Sequence, residues 1–251
     1  MLLVNDLSMR GRPSAPARVR QGDAHITVDK LSVTYRSSAG HVVNALESIS
    51  LDLPPQTFVA LVGPSGSGKS TLLYVLAGLL KTTRGSVRLG MRDLTTMSQR
   101  ELARFRCANV GFVFQSFQLL PHLRAWENVA LPMVPLGVPH HERSQRACAL
   151  LSGLGLGNRI NHKAGELSAG EQQRTAIARA IVNSPSLILA DEPTGNLDIA
   201  SANVVADQLE ALAGNLGATV VCATHDERLA ARACRVVRIS HGQLIGSGAG
   251  S

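Results

Sequence analysis

"TFVALVGPSGSGKST", Thr57–Thr71, is the stretch from which the fold can be read. An apolar run ends in a glycine-rich loop, and "STLLYVLAGLL" continues from it with helical character. That strand–loop–helix context is what G-x-x-x-x-G-K-[ST] requires, and Gly63, Pro64, Ser65, Gly66, Ser67, Gly68, Lys69 and Ser70 match it, with Thr71 closing the stretch. Gly66 and Gly68 let the backbone fold so that successive N–H groups point at phosphate oxygens. The helix that starts near Lys69 adds its positive end. Lys69 neutralises the β- and γ-phosphates, and the Ser70 hydroxyl can ligate Mg²⁺.

Around this loop the pattern alternates between strand and helix. "HITVDKLSVTY" and "SISLDL" read as short strands with turns between them. Mainly helical pieces run from about Ser98 to Lys163, with "NVGFVFQ" as a strand among them. Then come the helix "EQQRTAIARAIV", the strand "SLILADE", the helix "IASANVVADQLEALAG" and the strand "ATVVCATH". "RVVRISHGQLIG" reads as a closing hairpin with His241-Gly242 at its turn. Strands alternating with helices predict an α/β fold on a mostly parallel core sheet, with an antiparallel β-subdomain before it and a helical subdomain at about 98–163. Residues 1–22, with Arg10, Arg12, Arg18 and Arg20 among Pro, Ser, Gly and Ala, read as a flexible basic tail, and 23–251 as the folded domain.

Three strand ends offer chemistry beside the loop. "SLILADE" ends in two adjacent carboxylates: Asp191 is placed to hold Mg²⁺, and Glu192 to take a proton from an attacking water. The plainer alternative is a polar strand end feeding the turn "EPTG". His225 in "THD" ends the next apolar strand on the same edge, where it can contact a γ-phosphate or serve the structure alone. Gln115 ends "VGFVFQ" and can ligate Mg²⁺ through its carbonyl oxygen, or cap a strand. Phe105, Phe112, Phe114, Phe117 and Trp126 gather around it in an aromatic-poor chain, as a small core or as a docking groove. Tyr35 is a stacking platform for an adenine ring.

Composition narrows the class. A length of 251 residues with 45% hydrophobic and 17% charged residues allows a full core and excludes wholesale disorder. The formal net charge of +7 is spread along the chain, without zinc spacing or an RNA-binding aromatic signature, so no nucleic-acid partner is expected. Cys107, Cys148, Cys222 and Cys234 form no close pair, which suits buried, reduced thiols and a cytosolic compartment. "MLLVNDLSMR" lacks the features of a secretion leader, and the longest apolar run is too short to span a bilayer. A chain soluble by itself is expected.

"LSAGEQQR", Leu167–Arg174, poses a puzzle, because it looks like a second phosphate device. Ser168 with Glu171 fits a capping box, which accounts for the spacing without any ligand. It leaves Ala169-Gly170 unexplained, since small residues at a helix start allow close approach of an anion. Together with "GPSGSGKST", Gln115, "LILADE", "GNLD" and His225 in this order, the stretch resembles the ATPase cassette of ABC transporters, from about His25 onward. The resemblance implies ATP and Mg²⁺ as ligands, Glu192 and His225 as the catalytic pair, and a head-to-tail dimer of two copies. In such a dimer Ser168, Ala169, Gly170 and Glu171 cap the γ-phosphate held by the other copy, with Asp198 along the same seam. The usual family signature is Leu-Ser-Gly-Gly; Ala169 departs from it, and the expected consequence is at most a modest weakening of closure.

"FVFQSFQLLPHLRAWENVALP" and "ADEPTGNLD" resemble the lipoprotein-releasing and macrolide-exporting branch, with cell-division cassettes as near relatives. That branch implies a separate membrane permease as partner and a cytoplasmic location on the inner face of the membrane. The alternatives are a cell-division-type complex without transported substrate and a soluble non-transport ABC protein. With only a short stretch after "GQLIG", the C-terminal regulatory domain of many sugar importers is not expected.

Overall fold

The computed structural model describes residues 18–36, 42–214 and 217–249. Most of the expected basic tail, residues 1–17, lies outside them. At the described end of that segment the Val19 N–H donates to Asn109 Oδ1 at 2.7 Å, and the Val19 side chain packs on the core.

Two sheets form the frame. β1 (Ile26–Arg36), β2 (Val42–Leu53), β4 (Arg84–Leu89) and β5 (Arg92–Asp93) make an antiparallel sheet in the order β2-β1-β4-β5. β3 (Phe58–Val62), β6 (Val110–Val113), β7 (Leu187–Asp191), β8 (Thr219–Thr224), β9 (Arg235–Ser240) and β10 (Gln243–Ala249) make the second, in the order β10-β9-β3-β8-β7-β6. All its neighbours are parallel except β9 with β10, the hairpin that turns at His241-Gly242. Both turn residues have positive φ, 48° and 76°, which suits a tight hairpin between twisted strands. β7 and β8 are buried at every position, as expected of parallel strands covered on both faces.

Three apolar clusters hold these layers. The largest joins the antiparallel sheet to one face of the parallel sheet through α1 (Lys69–Leu76) and α2 (Gln99–Asn109). The opposite face packs on α5 (Ala169–Ile181), α6 (Ile199–Gly214) and α7 (Glu227–Ala230). α6 presents Val205, Ala206, Leu209, Leu212 and Ala213, a helical stripe. The third cluster lies among α3 (Ala125–Ala130), α4 (His140–Gly153) and α5, drawing on residues 125–182. α5 serves two clusters at once: Ile177 and Ile181 face the sheet, Ala178 and Val182 beside it face the helices.

Two expectations need correction. Of the five aromatics near Gln115, read as a small core or a docking groove, four are divided between two packing regions rather than gathered in one. Phe105 and Phe112 pack on the main core, Phe114 stacks on Phe112 at 4.3 Å, and Trp126 meets His140 edge-on at 5.6 Å in the helical layer. The cause is that β6 is a strand of the parallel sheet and lays Phe112 on the face covered by the main core, while α3 belongs to another cluster. The thiols are all free, but only Cys222 is buried; Cys107 and Cys148 are partly covered and Cys234 is exposed.

Candidate active site

The C-terminal ends of β3, β8 and β7 lie side by side, and the loops that follow them meet there. After β3 the chain bends through Gly66 and Gly68, with φ of 76° and 104°. Gly68 caps α1, and a Cβ there would lie 2.6 Å from the Ala45 carbonyl oxygen. Only glycine suits both the left-handed backbone and that contact. Lys69 is buried, and its Nζ donates to the Gly63 and Pro64 carbonyls at 2.8 and 3.0 Å. The loop thereby wraps around its own ammonium group.

A cavity of about 820 Å³ opens over this loop, lined by Ser65 through Thr71 together with Tyr35, Gln115, Glu192 and His225. Gly63 and Pro64 lie beneath it, supporting Lys69 rather than lining the space. Five further lining residues escaped the sequence reading: Val43, Asn44 and Ala45 from β2, and His241 and Gly242 from the hairpin turn. The turn locks onto the loop, because the Gly242 N–H donates to the Ser67 carbonyl at 3.0 Å.

Asp191 sits below the loop at 4% exposure, and Ser70 Oγ donates to its Oδ1 at 2.9 Å. Burial pushes the Asp191 carboxyl above its ordinary range, with the Glu192 charge adding to this, while hydrogen bonds from Ser70 and Tyr74 and the Lys69 charge oppose it. Tyr74, one turn along α1 from Ser70, is a partner that sequence reasoning missed. Its own hydroxyl is pushed up by burial and by the Asp191 charge.

Glu192 occupies the left-handed region at φ 44°, an unusual conformation for a non-glycine residue. Its N–H donates to the Ala223 carbonyl at 2.9 Å. Its carboxylate Oε2 lies 2.9 Å from His225 Nδ1 and 3.3 Å from the His225 backbone N–H, which donates to it. The two sequence candidates are thus one hydrogen-bonded unit. Behind them the buried Gln173 of α5 donates to the Pro193 carbonyl at 2.7 Å, tying that helix to the loop after Glu192.

Ser168, Ala169 and Asp198 are exposed, Gly170 and Glu171 are half-buried, and none of the five lines the cavity. The capping box is present: Ser168 N–H donates to Glu171 Oε2 at 2.8 Å, and Glu171 N–H to Ser168 Oγ at 3.3 Å. Arg159 Nε donates to Glu171 Oε1 at 2.8 Å and, with Ser168, holds that carboxyl below its usual range. Ala169 takes an ordinary helical conformation in the first turn of α5, so its Cβ meets no backbone strain. Asp198 accepts from the Ser201 N–H and hydroxyl at 3.0 and 2.7 Å, and Ser201 in turn neighbours Gly170.

A phosphate loop facing a carboxylate pair at the edge of a parallel sheet defines a phosphate-loop nucleotide hydrolase. Residues 46–195 match the family model described as ABC transporter. The lipoprotein-releasing system ATP-binding protein LolD of Geobacter metallireducens is 46% identical over 203 residues, 81% of this chain and 90% of that protein. The macrolide export ATP-binding/permease protein MacB of Burkholderia thailandensis is 46% identical over 215 residues, 85% of this chain but 33% of that protein. The chain therefore spans about a third of the MacB relative's length. A dimeric ATP-binding cassette solved in a post-hydrolysis state with ADP and Pi superposes with a TM-score of 0.84 at 36% identity, covering 90% of this chain and 99% of that one. The chain belongs to the ABC transporter family, as an ATP-hydrolysing cassette.

Two outcomes test the site. The folded pKa of Asp191 lies above its unfolded value, so the stability it confers is present at low pH and lost as pH rises through the folded value. Asp191→Asn is expected to raise the thermal midpoint of the ligand-free protein at pH 7, with the gain vanishing toward pH 3, and to abolish ATP hydrolysis; thermal scans across pH and a phosphate-release assay check both. Ala169→Gly is expected to leave the ATPase rate within about twofold of the parent while destabilising the protein by about 0.5–1 kcal/mol, measured by urea unfolding.

Proposed function

We propose that the chain works as an ATP-dependent head-to-tail dimer that drives a separate membrane permease, in the branch of the lipoprotein-releasing and macrolide-exporting systems. The observation that carries this reading is the position of Ser168–Gly170: a capped, exposed helix start of small residues that does not line the chain's own cavity. A second copy of the chain supplies the phosphate such a helix start can receive. The similar solved cassette is described as dimeric, which supports the pairing. No helix among the described residues is long and apolar enough to cross a membrane, so a transport path needs another polypeptide segment.

In this cycle the loop N–H groups and Lys69 hold the β- and γ-phosphates, and Tyr35 at 42% exposure offers its ring to the adenine. The donor set fits Mg²⁺: the Ser70 hydroxyl lines the cavity together with Gln115 and is hydrogen-bonded to the buried Asp191 carboxylate beneath it, giving oxygen donors suited to a hard cation. When bound, that ion neutralises charge on the phosphates. Glu192 accepts the proton of the attacking water, and His225, hydrogen-bonded to it through Nδ1, leaves Nε2 for the γ-phosphate. The signature of the second copy touches the γ-phosphate only before cleavage, so the closed pair is favoured by ATP and released by hydrolysis.

Glu192→Gln is expected to keep ATP affinity while lowering turnover by about 10²–10⁴-fold. The same variant, tagged and extracted from native membranes with ATP, is expected to bring down a permease with a few membrane helices and a large external domain. Normal turnover would remove Glu192 as the base, and recovery of soluble partners alone would contradict the transporter reading.

A further inference from the structure

The loop that follows Gln115 is held from two sides. Asn196, in the turn after Glu192, donates through Nδ2 to the Gln115 carbonyl at 3.0 Å. From the last turn of α5, Arg179 donates through one guanidinium nitrogen to the Phe117 carbonyl at 2.6 Å and through the other to the Gln118 carbonyl. Phe117 and Gln118 are consecutive non-glycine residues in the left-handed region, with φ of 59° and 51°. That conformation is disfavoured for L-residues and persists where surrounding contacts impose it. A guanidinium reaches two adjacent carbonyls through two nitrogens held in one rigid plane, whereas an ammonium has a single nitrogen to share between them. Among the described residues no carboxylate pairs with Arg179, and its burial lowers the guanidinium pKa to about 10. The cation is spent on backbone carbonyls.

We propose that Arg179 is a positioning residue for Gln115: its bidentate grip on Phe117 and Gln118 imposes the backbone that presents the Gln115 side chain to the cavity. The proposal rests on the reading of Gln115 as a metal ligand. Arg179 touches no reacting atom itself; it acts from the far end of the helix whose first turn carries Ser168 and Gly170.

The test uses the whole chain loaded with ADP, with Mn²⁺ as probe and its affinity read from the free-ion EPR signal, in the parent, Arg179→Lys, Gln115→Ala and the double variant. Amide exchange over residues 115–118 and the thermal midpoint are measured on the same proteins. Arg179→Lys is expected to keep the fold, to speed exchange over 115–118, and to weaken Mn²⁺ binding about five- to tenfold. In the Gln115→Ala background the Arg179→Lys substitution is expected to cost nothing further, because both act through one side chain. Parent-like Mn²⁺ affinity in Arg179→Lys, or an undiminished loss in the double variant, overturns the role of Arg179 while leaving Gln115 in place. Parent-like affinity in Gln115→Ala overturns the metal role of Gln115 and the proposal with it.

Discussion

In the parallel ladder β3-β8-β7, Val62 lies opposite Thr224 and Ala223 opposite Asp191, so the three strands end level at one edge of the sheet. That register brings the phosphate loop, His225 and the carboxylate pair together although they are separated by more than half the chain. β8 lies between the other two, which is why Glu192 can bond both the Ala223 carbonyl and His225. A slip of one residue would turn every buried side chain of β8 to the opposite face and break both contacts. Full burial of β7 and β8 makes such a slip costly, so apolar packing is what sets the geometry of the candidate site.

The site sits in tension with the stability of the fold. Asp191 is buried with a carboxyl displaced upward by desolvation, and Glu192 holds a backbone conformation that most residues avoid. The upward displacement of Asp191 fits a site that a bound cation would complete, since a positive charge beside the carboxylate would offset its desolvation. Lys69, buried against the phosphate loop, has its charge satisfied by the Gly63 and Pro64 carbonyls.

Much of this was legible in the sequence because the motifs are local. The phosphate loop needs glycines at set spacings within eight residues, the capping box needs Ser168 and Glu171 three apart, and α6 follows its apolar stripe from Ile199 to Gly214. What stayed hidden depends on contacts across long separations. Nothing local in β2 or the His241-Gly242 turn signals that they wall the cavity, and Tyr74 reads as one more core residue of α1. Arg179 and Gln173 lie in an ordinary helical pattern, yet one grips the loop after Gln115 and the other the loop after Glu192. The aromatics near Gln115 could not be divided from sequence for the converse reason: residues close in sequence are split between two layers by the sheet position of β6.

The central claim is that each signature serves the phosphate held by the other copy. The most direct measurement mixes two inactive proteins, Lys69→Ala and Gly170→Asp, the second placing a negative charge on the signature while sparing the Ser168–Glu171 cap. If the sites are shared, each mixed dimer contains one intact loop facing one intact signature. An equal mixture is then predicted to recover roughly a quarter of the parent ATPase rate, since half the dimers are mixed and each has one working site of two. A mixture as inactive as its components, with mixed dimers demonstrably formed, would contradict the account.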